Sequence, residues 1–315
     1  MGLIVDGQWV DKWYDTKNSD GKFVRQDSAY RGTINNKSDN VYQVEAGRYH
    51  LYVSLACPWA HRALIFRQLK GLEIIISVSV VEPEMLDKGW SFSEKGDDLY
   101  QLKQMFEIYL KGDENYQGRV TVPVLWDKKT ATIVNNESSD IIRIFNSAFN
   151  ELTGNDDDYY PTQLQVEIDR VNQLIYDDIN NGVYKAGFAT SQSIYQLAYQ
   201  SLFNRLDWLE QRLAKQRYLV GDKITEADWR LFTTLIRFDA VYHGHFKCNR
   251  QTLASFSHIS GYLRELYQVQ GIAQTVNFEH IKTHYYFSHE MINPTRIVPI
   301  GPLLDFNSPH HREVL

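Results

Sequence analysis

From about residue 49 to residue 145 the chain alternates short apolar runs with longer segments of helical spacing. Tyr49 to Leu55 is a short apolar strand, and Pro58 to Lys70 reads as a helix stopped by Gly71. Ile74 to Val81 is rich in β-branched residues and predicts a buried strand. Leu99 to Leu110 predicts a second helix. Val120 to Trp126 and Thr132 to Val134 predict two strands joined by the turn Asp127-Lys128-Lys129, and a further helix runs from about Ser139 to Phe145. The order β-α-β-α-β-β-α defines an α/β layer architecture.

Before this region, residues 1–45 are polar and turn-rich and read as an N-terminal arm. After it, GNDDDYYPTQ (154–163) reads as a linker between an α/β domain at 46–153 and a helical domain at 160–290. The helical pattern covers Val166 to Asn180, Tyr195 to Gln216, Glu226 to Phe238 and Ile259 to Val269. Thr225-Glu226-Ala227-Asp228 has the spacing of a capping box ahead of the third of these. Residues 291–315 carry Pro and Gly and predict an extended tail. Two domains fit a length of 315 residues, more than one hydrophobic core usually serves.

Composition narrows the classes. An apolar share of 43% with 23% charged residues is that of a globular protein. Thirty-three basic against 39 acidic residues leave a net charge of −6, which lacks the electrostatic footprint of a nucleic-acid binder. The stretch Ile74 to Val81 is far short of the roughly 20 apolar residues that span a bilayer, so no membrane partner is expected. The start MGLIVDGQW has no basic region followed by an apolar run, and two cysteines suit a reducing compartment, so a cytoplasmic protein is expected. The 20 Tyr, 15 Phe and 7 Trp read first as core and interface packing.

The sharpest chemical feature is Ser54-Leu55-Ala56-Cys57-Pro58-Trp59-Ala60-His61-Arg62. A strand ends, a cysteine follows, and a proline takes the first helical position, where its missing N–H costs nothing. Cys57 is then the N-cap. Its sulfur can accept from the N–H groups of Trp59 and Ala60 and lies at the positive end of the helix dipole. Both effects favour the thiolate, the reactive form, over the alternative of a small buried apolar residue. The position three residues on is Ala60, and the other thiol, Cys248, is far away in sequence, so the chemistry is monothiol with a small-molecule resolving thiol.

Two further marks leave alternatives open. Val122-Pro123 is either an edge-strand proline or a cis bond that aims the Val122 backbone at a bound peptide. In Asn136-Glu137-Ser138-Ser139-Asp140, helix N-terminal amides with the Ser138 hydroxyl can hold a carboxylate while Glu137 holds an ammonium group; equally, Ser138 or Ser139 simply caps the helix.

These motifs together resemble the glutathione transferase superfamily with a cysteine nucleophile, and more closely its xi class, the glutathionyl-hydroquinone reductases. The resemblance rests on CPWAHR, DKGWSFSE, GRVTVPVLWD, NNES, NNGVYKAGFA, RFDAVYHGHFKCN and HYYFSHEMINPTRIVPIGP, and covers nearly the whole chain. It implies a thioredoxin-like N-terminal domain that binds glutathione and an all-α C-terminal domain that takes the aromatic substrate. It implies an oxidoreductase that reduces S-glutathionyl-hydroquinones with glutathione as co-substrate, and a homodimer. Residue by residue it implies Cys57 as nucleophile and Trp90, Arg119, Val120, Thr121, Val122, Glu137 and Ser138 as glutathione contacts. Tyr184 would handle a proton on the aromatic substrate, while Tyr242 and Tyr285 would favour the Cys57 thiolate; Tyr286 adjoins the last.

Two other functions use parts of the same pattern. An omega-like thioltransferase or dehydroascorbate reductase would use Cys57 without needing a ring-proton donor. A non-catalytic binding module of the same fold would need no activated thiol. The histidines at 243, 245, 280, 284 and 289 and Cys248 have no zinc-type spacing, so no metal is expected. No GxGxxG or Walker pattern occurs, so no nucleotide cofactor is expected.

Overall fold

The computed structural model describes all residues except 1, 17, 314 and 315. They form two compact units: one takes the chain up to Trp13, Gln26–Asp157 and Thr275–Ser288, the other Tyr14–Arg25, Asp158–Gln274 and the chain from His289 on. The N-terminal arm and the C-terminal region are thus each divided between the units.

In the first unit, β1 (Leu3–Val5) and β2 (Gln8–Val10) form a hairpin. There follow β3 (Tyr49–Val53), α1 (Pro58–Leu69), β4 (Ile76–Val80), α2 (Met105–Gly112), β5 (Gly118–Arg119), β6 (Val124–Asp127), β7 (Thr132–Asn135), α3 (Ser138–Ser147) and the short α4 (Asn150–Thr153). The main sheet has the order β4-β3-β6-β7, with β3 parallel to β4 and antiparallel to β6. A βαβ crossover followed by an antiparallel hairpin is the thioredoxin-like arrangement expected. All of β3 is buried, as a central strand covered on both faces must be. His50 on this strand lies between the Ser77 and Ser79 hydroxyls, and burial pushes its pKa down to about 4, so the ring is neutral. At the C-terminal end of β6, Asp127 receives a two-pronged ion pair from Arg48, at 2.8 and 2.6 Å.

The second unit is helical: α5 (Gln165–Ile175) running into a π turn (Tyr176–Asn180), α6 (Gly182–Gly187), α7 (Gln192–Leu213), α8 (Glu226–Arg237) running into a second π turn (Phe238–Tyr242), and α9 (Ser257–Gln268). The Thr225–Asp228 capping box forms, with the Asp228 carboxylate accepting the Thr225 N–H at 2.8 Å. The last helix, α10 (Phe278–Ser288), belongs to the first unit.

Three expectations are corrected. Leu99 to Gln104 is not helical. The buried Asp97 carboxylate accepts from the N–H groups of Leu99, Tyr100 and Leu102, which winds this stretch into a turn. The helix starts only at Met105, where Gln104 and Glu107 form a capping box. Residues 1–45 are not purely irregular: β1 and β2 extend a second sheet through pairing of β1 with β5. And GVYKAG, which the expected helical pattern did not include, forms a helix of its own, α6.

Candidate active site

The loop after β3 delivers Cys57 to the start of α1. Its N–H donates to Ser54 O at 3.2 Å, its carbonyl accepts the His61 N–H at 3.0 Å, and Pro58 occupies the first helical turn. Cys57 is therefore the N-cap, in extended backbone conformation. The expected hydrogen bonds from Trp59 and Ala60 to the sulfur do not form: the thiol makes no cap bond. It points across to the carbonyl oxygen of Val122, 3.7 Å away. What the helix contributes to the sulfur is its dipole rather than its amides. Cys57 is half-buried, whereas Cys248 is fully buried, and desolvation pushes the Cys248 thiol far up from its ordinary range.

The Val122-Pro123 bond is cis, so the open alternative resolves in favour of a backbone turned out of the strand. The Val122 carbonyl faces the thiol, and among the described residues its N–H has no hydrogen-bond acceptor. The Val122 N–H therefore remains available to an extended peptide-like ligand, while its carbonyl accepts from the Cys57 thiol. The preceding residues are pinned. The Tyr109 hydroxyl donates to Thr121 O at 3.0 Å, accepts the Thr121 N–H at 3.3 Å, and accepts from Asn136 Nδ2 at 3.1 Å. Val120 is buried, and Arg119 donates to the carbonyls of Lys12 and, at 3.0 Å, Trp13.

At the start of α3 neither serine caps the helix. Glu137 does, accepting the Ser139 N–H at 3.0 Å and the Ser139 hydroxyl at 3.0 Å. Its other oxygen accepts from Ser28 in the arm at 2.9 Å. Burial by itself would raise this carboxyl. The hydrogen bonds from Ser139 and Ser28, with the positive charge of Arg62, outweigh it and hold Glu137 below its ordinary value. The buried Ser138 hydroxyl accepts from Arg62 at 3.4 Å. The site thus keeps a negative carboxylate next to a guanidinium and a helix N-terminus, a pairing suited to an α-amino acid group.

Trp90 is buried, with its ring stacked on His284 of α10 at 4.7 Å. The His284 Nδ1 donates to the Pro83 carbonyl at 3.0 Å, which orients the imidazole. Tyr285 is the neighbouring residue on α10 and is also buried. Tyr184 and Tyr242 lie in the second unit and meet there, ring centroids 6.0 Å apart, each in contact with Phe246. Five residues escaped the sequence reading: Ser28, Tyr30, Arg62, Tyr109 and Asn136. The Tyr30 N–H donates to Asn136 Oδ1 at 3.0 Å and its carbonyl accepts the Asn136 N–H at 3.1 Å, which docks the arm beside Glu137. Ser28 and Tyr30 act across more than a hundred residues of sequence, so no local signal marks them. Arg62, one helical turn beyond Pro58, was within reach of spacing alone.

The fold and this site are those of a cysteine-type glutathione transferase, and comparison with known proteins agrees. Residues 56–148 match the family Glutathione S-transferase, N-terminal domain, and 192–265 match Glutathione S-transferase, C-terminal domain. The chain is 54% identical to glutathionyl-hydroquinone reductase YqjG of Escherichia coli, over 100% of this chain and 99% of that protein. It is 52% identical to glutathionyl-hydroquinone reductase PcpF of Sphingobium chlorophenolicum, over 96% of each. A glutathione-bound structure of YqjG superposes with a TM-score of 0.88 at 53% identity, covering 90% of this chain and 96% of that one. The xi-class glutathione transferase of Natrialba magadii superposes at 0.95 with 49% identity, covering 100% and 98%. The chain belongs to the glutathionyl-hydroquinone reductases, the xi class of the glutathione transferase superfamily. No helix of the described residues is long and apolar enough to cross a membrane. Among them no group of three or more His, Cys, Asp or Glu side chains is placed to hold a metal ion.

Proposed function

We propose that the protein reduces S-glutathionyl-hydroquinones to hydroquinones, with Cys57 as nucleophile and glutathione as co-substrate. The observation that carries this reading is the half-buried Cys57 thiol at the N-terminus of α1, facing the backbone of Val122. The Cys57 thiolate attacks the sulfur of the substrate. A sulfur–sulfur bond forms, the aromatic carbon–sulfur bond breaks, and the ring carbon takes a proton from Tyr184 as the hydroquinone leaves. A second glutathione, as thiolate, then attacks the Cys57–glutathione mixed disulfide. Glutathione disulfide departs, the Cys57 thiolate is restored, and the proton lost by that second thiol balances the one delivered to the ring.

In this reading the Val122 backbone pairs with the cysteinyl unit of glutathione. Glu137 and Ser138 take its ammonium and carboxylate groups, and Trp90 and the Arg119–Thr121 segment complete the contacts. Tyr242 and Tyr285 favour the thiolate by donating hydrogen bonds. The region 46–153 binds glutathione and 160–290 takes the aromatic part. The protein works as a cytoplasmic homodimer joined through its helical domain.

Mass spectrometry of the purified protein after addition of a glutathionyl-hydroquinone, with no free glutathione, tests the central step. The expected result is one glutathionyl group on Cys57 and one equivalent of free hydroquinone. Turnover that survives Cys57→Ser, or an adduct on Cys248 alone, overturns it.

A further inference from the structure

The segment Lys22–Arg25 lies along the second unit rather than in a free arm. Its Phe23 ring is buried and stacks on Tyr184, centroids 6.2 Å apart. The Arg25 guanidinium sits 5.2 Å from the Tyr184 ring centroid and 5.3 Å from that of Phe23. Arg25 Nε donates to Asn181 Oδ1 at 3.3 Å. Asn181 is the residue from which α6 starts, and α6 carries Tyr184. The guanidinium is thus tied to the same short helix whose ring it covers.

We propose that Arg25 is a positioning residue for Tyr184: tied to Asn181 and lying over the phenol ring, it fixes the ring and makes its hydroxyl a stronger acid. The inference rests on the reading of Tyr184 as the proton donor. Its physical basis is twofold. A cation over an aromatic face is attracted by the ring's electron density, and a phenolate ring is richer in electrons than a phenol. A positive charge beside an ionisable group also favours its negative form. Both lower the cost of releasing the proton in the step that breaks the aromatic carbon–sulfur bond. Guanidinium suits this better than ammonium, because its plane stacks on a ring while its Nε remains directed at an acceptor.

Among the described residues, the other groups named here around Tyr184 do not lay a charge on its ring. The rings of Phe188, Tyr242 and Phe246 contact it and are uncharged. His289 and His245 lie behind Phe188 and Phe246, and burial pushes His245 down to about 4, so that imidazole is neutral. A cavity of about 500 Å³ adjoins Arg25, bordered by Lys22, Asp177, Asp178 and Lys185. Asp178 is paired with Arg205 at 2.9 Å, and the Lys185 ammonium donates to the Asp177 carbonyl at 2.9 Å. Of these charged neighbours, Arg25 is the one that the structure lays on the Tyr184 ring.

The test compares wild type, Arg25→Gln, Arg25→Lys, Tyr184→Phe and the double variant Arg25→Gln/Tyr184→Phe. Each is assayed across pH on a glutathionyl-hydroquinone and on a small glutathione mixed disulfide, with a melting curve for each. Arg25→Gln is expected to lower kcat on the glutathionyl-hydroquinone roughly threefold to tenfold relative to the disulfide rate, the span of an ordinary cation–π contact. The alkaline limb of kcat, where the donor phenol is lost, moves up by about half a pH unit or more, because removing a cation makes the phenol a weaker acid. Arg25→Lys recovers part of both effects. In the Tyr184→Phe background, Arg25→Gln has no further effect on the ratio of the two rates. A uniform loss on both substrates in step with melting temperature, or an unmoved alkaline limb in Arg25→Gln, overturns the role of Arg25 alone. A Tyr184→Phe variant with no selective loss overturns the reading of Tyr184, and the inference with it.

Discussion

The Cys57 sulfur faces the carbonyl oxygen of Val122 at 3.7 Å, from a half-buried position at a helix N-terminus. The other thiol has the opposite surroundings. Cys248 is enclosed, donates to the Phe246 carbonyl at 3.8 Å, and is pushed far up by desolvation. Limited alkylation near neutral pH should therefore label Cys57 and leave Cys248 untouched until the protein unfolds. Peptide mapping of the labelled sites checks this; equal labelling in the folded protein would contradict it.

Glu137 couples the site to acid stability. Burial opposes its charge, but the Ser139 and Ser28 hydrogen bonds and Arg62 more than compensate, so its folded value lies below the ordinary 4.5. A depressed carboxyl contributes stability that is present above that ordinary value and is lost as pH falls through the folded one. Glu137→Gln should cost about 1–2 kcal/mol at pH 7 through the weakened cap. The gap to wild type should close as pH falls below 4.5 and through the depressed folded value. Urea unfolding at a series of pH values reads both, and a gap that is constant with pH would exclude the carboxylate as its source.

How far the sequence reaches depends on the range of the forces involved. The β-α-β-β-α core was legible because apolar runs and helix stops are local, and β3, α1 and β4 fall within a few residues of their expected bounds. So was Cys57 as N-cap, which Pro58 announces. The stretch Leu99–Gln104 was misread because its apolar spacing imitates a helix while Asp97, just before it, gathers its amides. Long-range contacts left no trace at all. Ser28 meets Glu137 across 109 residues, and α10 owes its place in the first unit to contacts such as His284 with Pro83, 201 residues away. The family resemblance pointed to Tyr184, Tyr242 and Tyr285, whose aromatic surroundings read from sequence alone only as packing.

The C-terminal tail has no regular secondary structure from Met291 to Glu313, yet Arg312 is buried. Its guanidinium pairs with Glu265 at 3.2 Å and donates to the carbonyls of Leu213, Gln216, Arg217 and His258. These partners lie on or just beyond α7 and on α9, so one side chain ties the tail to two helices of its unit. Arg312→Met keeps the stem but leaves those acceptors and part of the Glu265 charge without a donor. The expected loss is about 3 kcal/mol, the scale for removing one member of a buried ion pair. The guanidinium chloride midpoint should fall accordingly. A change below about 1 kcal/mol would mean that water replaces Arg312 readily.

Tyr109 controls the other side of the thiol. Its hydroxyl has one proton and two acceptor positions, and all are used: it donates to Thr121 O and accepts from Thr121 N–H and Asn136 Nδ2. Burial raises its pKa, so the phenol keeps its proton over the whole working range. These bonds hold the residue immediately before Val122, and Val122 presents its carbonyl to Cys57. Tyr109→Phe fills the same space but leaves one buried amide and two part-buried backbone groups without this partner, at a cost of about 1–3 kcal/mol for the buried one and less for the others. The 121–122 segment should relieve this by shifting, which misaligns the Val122 backbone for a peptide-like ligand while leaving the sulfur chemistry itself intact. The variant should therefore show a KM for glutathione raised by roughly tenfold, about 1.4 kcal/mol of lost uniform binding, with kcat at saturation within about twofold of wild type. Loss of melting temperature with an unchanged KM would show that Tyr109 only packs. A fall in kcat with KM unchanged would place its effect on the thiolate instead, and a titration of the Cys57 thiol in the same variant distinguishes that outcome from the first.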